Sequence, residues 1–132
     1  GGCLCGAIRY ETRGKPLYSG VCYCGDCRKS SGSVFVPVSG YALTAFHLTK
    51  GEPRTYTTPS TYGKPVVLSF CGDCGSKIFG GIYGVDETHT VNVGTLDDLK
   101  GYEPRTALFV KDRPEWAVLK HALTEFQTMP GA

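Results

Sequence analysis

Apolar and polar residues alternate along most of this chain, and glycine or proline breaks the alternation at short intervals. Residues 7–13, Ala-Ile-Arg-Tyr-Glu-Thr-Arg, are the first such stretch. A period of two is the signature of a strand with one buried face. A Gly14-Lys15-Pro16 turn separates it from a second strand at 17–21. Residues 34–38 are apolar and mostly β-branched and predict a buried or an edge strand, and Pro37, with no N–H to give a ladder, favours the edge. Strands follow at 46–50 and 54–58 around the turn Gly51-Glu52-Pro53, then at 66–70, 77–80, 88–93 and 108–110. Past them, Asp112 can cap a helical turn ahead of Pro114, and Trp116, Leu119, Leu123 and Phe126 fall at helical spacing. The pattern predicts an all-β domain of about eight or nine short strands, a sandwich or folded-over antiparallel sheets, closed by one short C-terminal helix.

Composition sharpens this only a little. A chain of 132 residues predicts a single domain, 1–132, with a core large enough to need no disulfides. Eighteen glycines and eight prolines favour frequent turns over long helices. Fourteen basic residues face twelve acidic ones without a run of either sign, which argues against a nucleic-acid partner. No apolar stretch is long enough to span a bilayer and no charged-then-apolar leader is visible, so no membrane partner is expected.

The cysteines change the picture most. There are seven, an odd number, in C-x-C and C-x-x-C spacings, and this reads as metal ligation in a reducing compartment, the cytoplasm, rather than a disulfide scaffold. Two partitions are open. The C-x-x-C pairs Cys24/Cys27 and Cys71/Cys74 can join as in a zinc ribbon, leaving Cys3, Cys5 and Cys22 scattered. Alternatively Cys3 and Cys5 join Cys71 and Cys74, leaving Cys22, Cys24 and Cys27, already neighbours, in a loop around a second ion. The second is the simpler. It gives one closed four-thiolate zinc site and one site with an open position. A fourth ligand from His47, His89 or His121 would close the second site, but none shows the convergent spacing that this requires.

Zinc held by three thiolates is a weak Lewis acid that stays thiophilic, so a soft ligand such as a substrate thiol can complete the tetrahedron and lose its proton. That chemistry suits a thiol adding to, or leaving from, a carbonyl-like carbon. Arg28, Lys29, Ser30 and Ser31 follow directly and are candidates for holding the carboxylates of an acidic thiol such as glutathione; the alternative is a solvated basic turn.

Several of these stretches resemble one family. They are Gly2-Cys3-Leu4-Cys5-Gly6-Ala7-Ile8-Arg9-Tyr10, Cys22-x-Cys24-x-x-Cys27-Arg28-Lys29-Ser30-Ser31-Gly32-Ser33, Phe46-x-Leu48-Thr49-x-Gly51-Glu52-Pro53, Phe70-Cys71-x-x-Cys74-Gly75-Ser76 and Gly94-Thr95-Leu96-Asp97-Asp98. Together they are similar to the glutathione-dependent formaldehyde-activating enzyme / centromere protein V family, from Gly1 to about Trp116. The resemblance implies a β-tent fold of packed antiparallel sheets and two zinc ions per chain. One is closed by Cys3, Cys5, Cys71 and Cys74; the other is open on Cys22, Cys24 and Cys27. It also implies a carbon–sulfur lyase or synthase that condenses glutathione with formaldehyde. Two positions depart from the family: Tyr23 and Ala107 stand where relatives often carry His.

The expected function is therefore a zinc-dependent carbon–sulfur lyase/synthase acting on an adduct of glutathione, or another small thiol, with formaldehyde or a related aldehyde. Cys22, Cys24 and Cys27 would be its catalytic centre, with Asp26, Tyr23 and Tyr18 as candidate proton handlers. The alternative is a non-catalytic zinc module binding protein or nucleic acid. A thiol redox enzyme such as a zinc-bearing methionine sulfoxide reductase is disfavoured, because no cysteine follows Cys74 to serve as its reactive thiolate.

Overall fold

The computed structural model describes residues 1–59, 63–120 and 123–131. The described residues form ten strands and one short α-helix: β1 (Arg9–Thr12), β2 (Tyr18–Cys22), α1 (Gly25–Ser31), β3 (Val36–Ala42), β4 (Phe46–Lys50), β5 (Arg54–Thr58), β6 (Val66–Phe70), β7 (Lys77–Gly80), β8 (Thr88–Asn92), β9 (Thr106–Leu108) and β10 (Thr124–Glu125). β1 and β4 pair as an antiparallel ribbon. The other eight make one sheet in the order β10-β9-β2-β3-β8-β7-β6-β5. The protein is all-β, as its alternation predicts.

The sheet is mixed rather than purely antiparallel. β9 runs parallel to β2, and β10 parallel to β9. A parallel pair needs a long crossover, and most of the chain lies between β2 and β9.

Two stretches depart from the pattern-based expectation. β3 is not an edge strand: it lies between β2 and β8. Its pairing with β8 begins only at Val38↔Asn92, whereas its pairing with β2 extends to Val21↔Pro37 and Cys22↔Val36. Pro37 thus sits past the end of the β8 ladder, where its missing N–H costs no bond on that side. The C-terminal helix is also absent from the described residues, although His121 and Ala122 lie outside them. Thr124 N–H donates to Arg105 O over 3.0 Å, Phe126 N–H to Ala107 O over 2.9 Å, and Val110 N–H to Phe126 O over 3.0 Å. An isolated helix of that length is marginal in water, whereas the free edge of β9 offers a ready-made ladder. Leu119, Leu123 and Met129 still pack against the core, from non-helical backbone, while Trp116 remains exposed.

The interior divides into two clusters. The first holds Ile8, Tyr10, Tyr41, Phe46, Ile78, Phe79 and Val91 around Cys3 and Cys71. The second holds Val21, Tyr23, Ala107, Phe109, Val110 and Ala117 around Cys22 and Cys24. Each group of thiols thus borders its own hydrophobic core, with Cys5 exposed and Cys27 and Cys74 half-buried.

Candidate metal centres

The N-terminal turn supplies the first two thiols. Cys3 N–H donates to Ile8 O over 3.1 Å, and Gly6 N–H to Cys3 O over 3.2 Å. The turn needs Gly6 at φ 80°, a left-handed conformation that costs glycine little. A second turn of the same kind follows β6. Gly75 N–H donates to Cys71 O over 2.8 Å, Cys71 N–H to Ser76 O over 2.9 Å, and Gly75 has φ 79°. Leu4 N–H donates to Ser76 Oγ over 3.0 Å and ties the two turns together.

The four thiols of Cys3, Cys5, Cys71 and Cys74 lie within 4.8 Å of one another and can hold a metal ion. Cys5 Sγ is 3.7 Å from Cys3 Sγ and 3.8 Å from Cys71 Sγ. A tetrahedron of thiolates around zinc has an edge of about 3.8 Å. Two donors stabilise sulfur in its charged form: Ile8 N–H lies 3.2 Å from Cys3 Sγ, and Ser76 Oγ lies 3.2 Å from Cys74 Sγ. The Ser76 hydroxyl contributes most to holding the Cys74 thiol down, at about 5.

Cys22, Cys24 and Cys27 form the second group, again within 4.8 Å of one another. They sit at a strand-to-helix corner, not in a free loop. β2 ends at Cys22, Tyr23 N–H donates to Leu108 O over 3.0 Å, and Cys24 is the N-cap of α1. Its Sγ accepts from Cys27 N–H over 3.3 Å, the role a Ser or Asp oxygen usually fills. Hydrogen bonds from the neighbouring thiols, Cys22 first, drive Cys24 far below the ordinary thiol range, and Cys22 is pushed up in return. Cys22 and Cys24 are buried, but Cys27 is half-buried, so this group has an accessible side.

Arg28, Lys29, Ser30 and Ser31 lie on α1 with exposed side chains, on a helix rather than a basic turn. The hydroxyls of Ser30 and Ser31 donate back to Cys27 O, at 3.3 and 2.7 Å. Among these four residues only Ser30 lines the groove beside the thiols. That groove, about 310 Å³, is lined by Ser30, Tyr56, Leu68, Phe70, Gly75 and Lys77. Lys77 Nζ donates to Ser30 Oγ over 2.7 Å. Sequence reasoning missed Lys77, Tyr56 and Phe70, because nothing along the chain signals that β5–β7 fold back onto α1.

Two candidate proton handlers are engaged elsewhere. Tyr23 is 1% exposed, packs on Phe35 with ring centroids 5.5 Å apart, and donates its hydroxyl to Ala117 O over 3.1 Å. Tyr18 bonds Thr90 Oγ1, and it precedes Cys22 by roughly 13 Å of extended strand. Asp26 lies in the first turn of α1, where a carboxylate suits the helix dipole. Ala107 pairs with Val21 and is buried in the same core as Tyr23. Tyr23 and Ala107 therefore share one environment.

The described histidines lie outside both thiol groups. His47 Nε2 bonds Thr44 O over 3.0 Å. His89 is fully buried among Phe46, Phe79 and Tyr83, with Nδ1 3.1 Å from Gly80 O. His121 lies outside the described residues. Neither described histidine joins a metal-competent group.

Fold and thiols together define a small β-sheet protein with two cysteine clusters able to hold metal. Residues 1–112 match the family described as glutathione-dependent formaldehyde-activating enzyme, and the chain belongs to that family. The crystal structure of a Rhodobacter sphaeroides protein is similar in fold, with a TM-score of 0.56 and 24% identity over 79% of this chain and 90% of that one. A comparison with curated proteins found no match. Among the described residues no helix is long and apolar enough to cross a membrane.

Proposed function

We propose that the chain is a zinc-dependent carbon–sulfur lyase/synthase that makes or breaks the adduct of a small acidic thiol, such as glutathione, with an aldehyde. The observation that carries this reading is the asymmetry of the two thiol groups. Four thiols are tied turn to turn and can close a metal site by themselves, whereas three gather at a strand-to-helix corner and leave room for a further ligand, with Lys77 bonded to the helix that carries Cys27. In this reading Cys3, Cys5, Cys71 and Cys74 would hold a structural zinc, and Cys22, Cys24 and Cys27 would hold a second and leave a substrate thiol to complete its ligand set. Bound there, zinc supplies affinity for a substrate sulfur and lowers its pKa.

The remaining chemistry belongs to the chain. The second core, with Tyr23, Phe109 and Val110 buried, excludes water from the inner side of the trio. Lys77, braced on Ser30, attracts a substrate carboxylate. In the forward direction the thiol proton leaves to solvent and the sulfur lone pair forms the S–C bond. The carbonyl π pair moves onto oxygen, which takes a proton from water. The reverse reaction returns thiol and aldehyde without any redox change.

The test is zinc content and turnover of a Cys24→Ser variant. Loss of one zinc and of adduct formation, with the strand circular dichroism signal retained, is expected. A folded variant with undiminished turnover would falsify the mechanism.

A further inference from the structure

The outer face of an antiparallel sheet ordinarily carries polar side chains. At the β5 end of this sheet it does not. Tyr56 pairs with Leu68, and Phe70 lies two residues further along β6 on the same side. Tyr56 is 61% exposed and Leu68 and Phe70 are half-buried, so they form an apolar wall open to solvent. Leu68 pairs in turn with Gly80, which has no side chain to fill the space beside it.

This wall shares a sheet face with the three-thiol group and meets it through α1, where Ser30, one turn after Cys27, takes the Lys77 hydrogen bond. The pair Phe79↔Val91 puts Gly80 and Thr90 together on the opposite side of the sheet, Thr90 pairs with Gly40, and Gly40 with Tyr18. Tyr18, Gly20 and Cys22 alternate onto one side of β2. The face that carries Cys22 is therefore the face that carries Leu68 and Tyr56. Lys77 and Ser30 line the same groove as Tyr56, Leu68 and Phe70. Lys77 lines the groove beside this apolar surface, with its Nζ held on Ser30. One-carbon formaldehyde would leave this wall in water. A ligand that matches both features has an anionic backbone and a bulky apolar group close to its sulfur.

From this arrangement we infer that the physiological substrate is the adduct of a carboxylate-bearing thiol with a bulky apolar or aromatic aldehyde, whose carbon skeleton lies against Tyr56, Leu68 and Phe70. The inference rests on the carbon–sulfur reading of the site, and it narrows the aldehyde.

The experiment uses the zinc-loaded chain and has two arms. Calorimetric titration compares S-benzylglutathione with S-methylglutathione, and turnover compares phenylacetaldehyde with formaldehyde, each with glutathione. The benzyl thioether is expected to bind at least about tenfold more tightly, because the added ring leaves water for an apolar wall. Tyr56→Ala, at an exposed position on an edge strand, is expected to cut that ratio several-fold. Equal affinity of the two thioethers, or a ratio unmoved by Tyr56→Ala, overturns the inference even if formaldehyde is turned over. Discrimination between the thioethers without turnover of either aldehyde upholds the groove and overturns the enzyme reading instead. Preference for phenylacetaldehyde in kcat/KM upholds both.

Discussion

Lys77 Nζ donates to Ser30 Oγ over 2.7 Å and so joins β7 to the helix that Cys24 caps. The contact brings a cation to the open side of the Cys22/Cys24/Cys27 group, although 47 residues separate the partners. Lys77→Met is expected to raise KM for a carboxylate-bearing thiol by about tenfold, the scale of one lost charge-assisted hydrogen bond. Steady-state kinetics at two ionic strengths check this. The wild-type KM should rise with salt, and the variant's should not. A variant with wild-type KM and wild-type salt dependence would remove Lys77 from the binding groove.

Metal removal should separate the two thiol groups. The four-thiol group joins the N-terminal turn to the turn after β6, so its ion contributes folding energy. The three-thiol group sits at a corner whose backbone bonds, Tyr23 to Leu108 and Gly32 to Arg28, do not depend on an ion. A mild chelator is expected to take one zinc per chain and abolish turnover while leaving the melting temperature nearly unchanged. Cys71→Ser, by contrast, should lower the melting temperature sharply or prevent folding. Loss of both ions at the same chelator concentration, with unfolding, would contradict the division of roles.

Much of this was legible along the chain, for local reasons. The strands at 54–58, 66–70 and 77–80 read at their observed bounds because a Gly-Glu-Pro turn and a cysteine turn punctuate them. The grouping of seven thiols into four and three follows sequence proximity for the three and leaves the two outer pairs to meet. What failed depended on neighbours. Pro37 argues for an edge, but a strand can be internal along one part and free along another. Leu119 and Leu123 keep helical spacing, yet the edge of β9 determines the conformation of the residues after them. Lys77 was invisible because its function depends on α1, which the C-x-C-x-x-C spacing did not reveal as a helix.

Tyr23→Phe tests whether the Tyr23 hydroxyl takes part in proton transfer. The Tyr23 hydroxyl donates to Ala117 O in a buried setting, so its loss leaves a buried carbonyl without that donor. A destabilisation of about 1–2 kcal/mol is expected in chemical denaturation. The pH profile of kcat should keep its shape, since the hydroxyl is bonded away from the trio. A profile that loses one limb in the variant would restore Tyr23 as a proton handler.

Gly75 tests the geometry of the second cysteine turn. Its φ of 79° lies in the left-handed region, and a Cβ there meets nothing within 4 Å, so backbone strain is the whole cost of a side chain. Gly75→Ala is expected to destabilise by about 1–2 kcal/mol. Gly75→Asn should recover part of that, because Asn tolerates the conformation better. Both variants should bind two zincs. Equal stability of all three proteins would mean the turn relaxes freely and does not hold Cys71 and Cys74 in place.

Acid should loosen the N-terminal turn through Asp97. Arg9 Nη1 donates to Asp97 Oδ1 over 3.0 Å and Nη2 donates to Oδ2, a bidentate pair that joins the start of β1 to the turn after β8. The Arg9 hydrogen bonds hold the Asp97 carboxyl below the ordinary carboxylate value. A carboxyl depressed in the folded state binds fewer protons there than in the unfolded chain, so stability rises with pH across that interval. Its contribution is present above the unfolded value, about 3.9, and is lost as pH falls through the lower folded value. Because the pair is exposed, the effect is modest and screened by salt. The readout is the difference in melting temperature between wild type and Asp97→Asn at matched pH, since thiolate protonation and zinc loss affect both proteins alike. That difference is expected to favour wild type at pH 6 and to shrink towards zero below pH 4. A difference independent of pH would mean that Asp97 acts through its shape in the turn, and that the Arg9 pair contributes nothing measurable to holding the cysteine turn at Cys3.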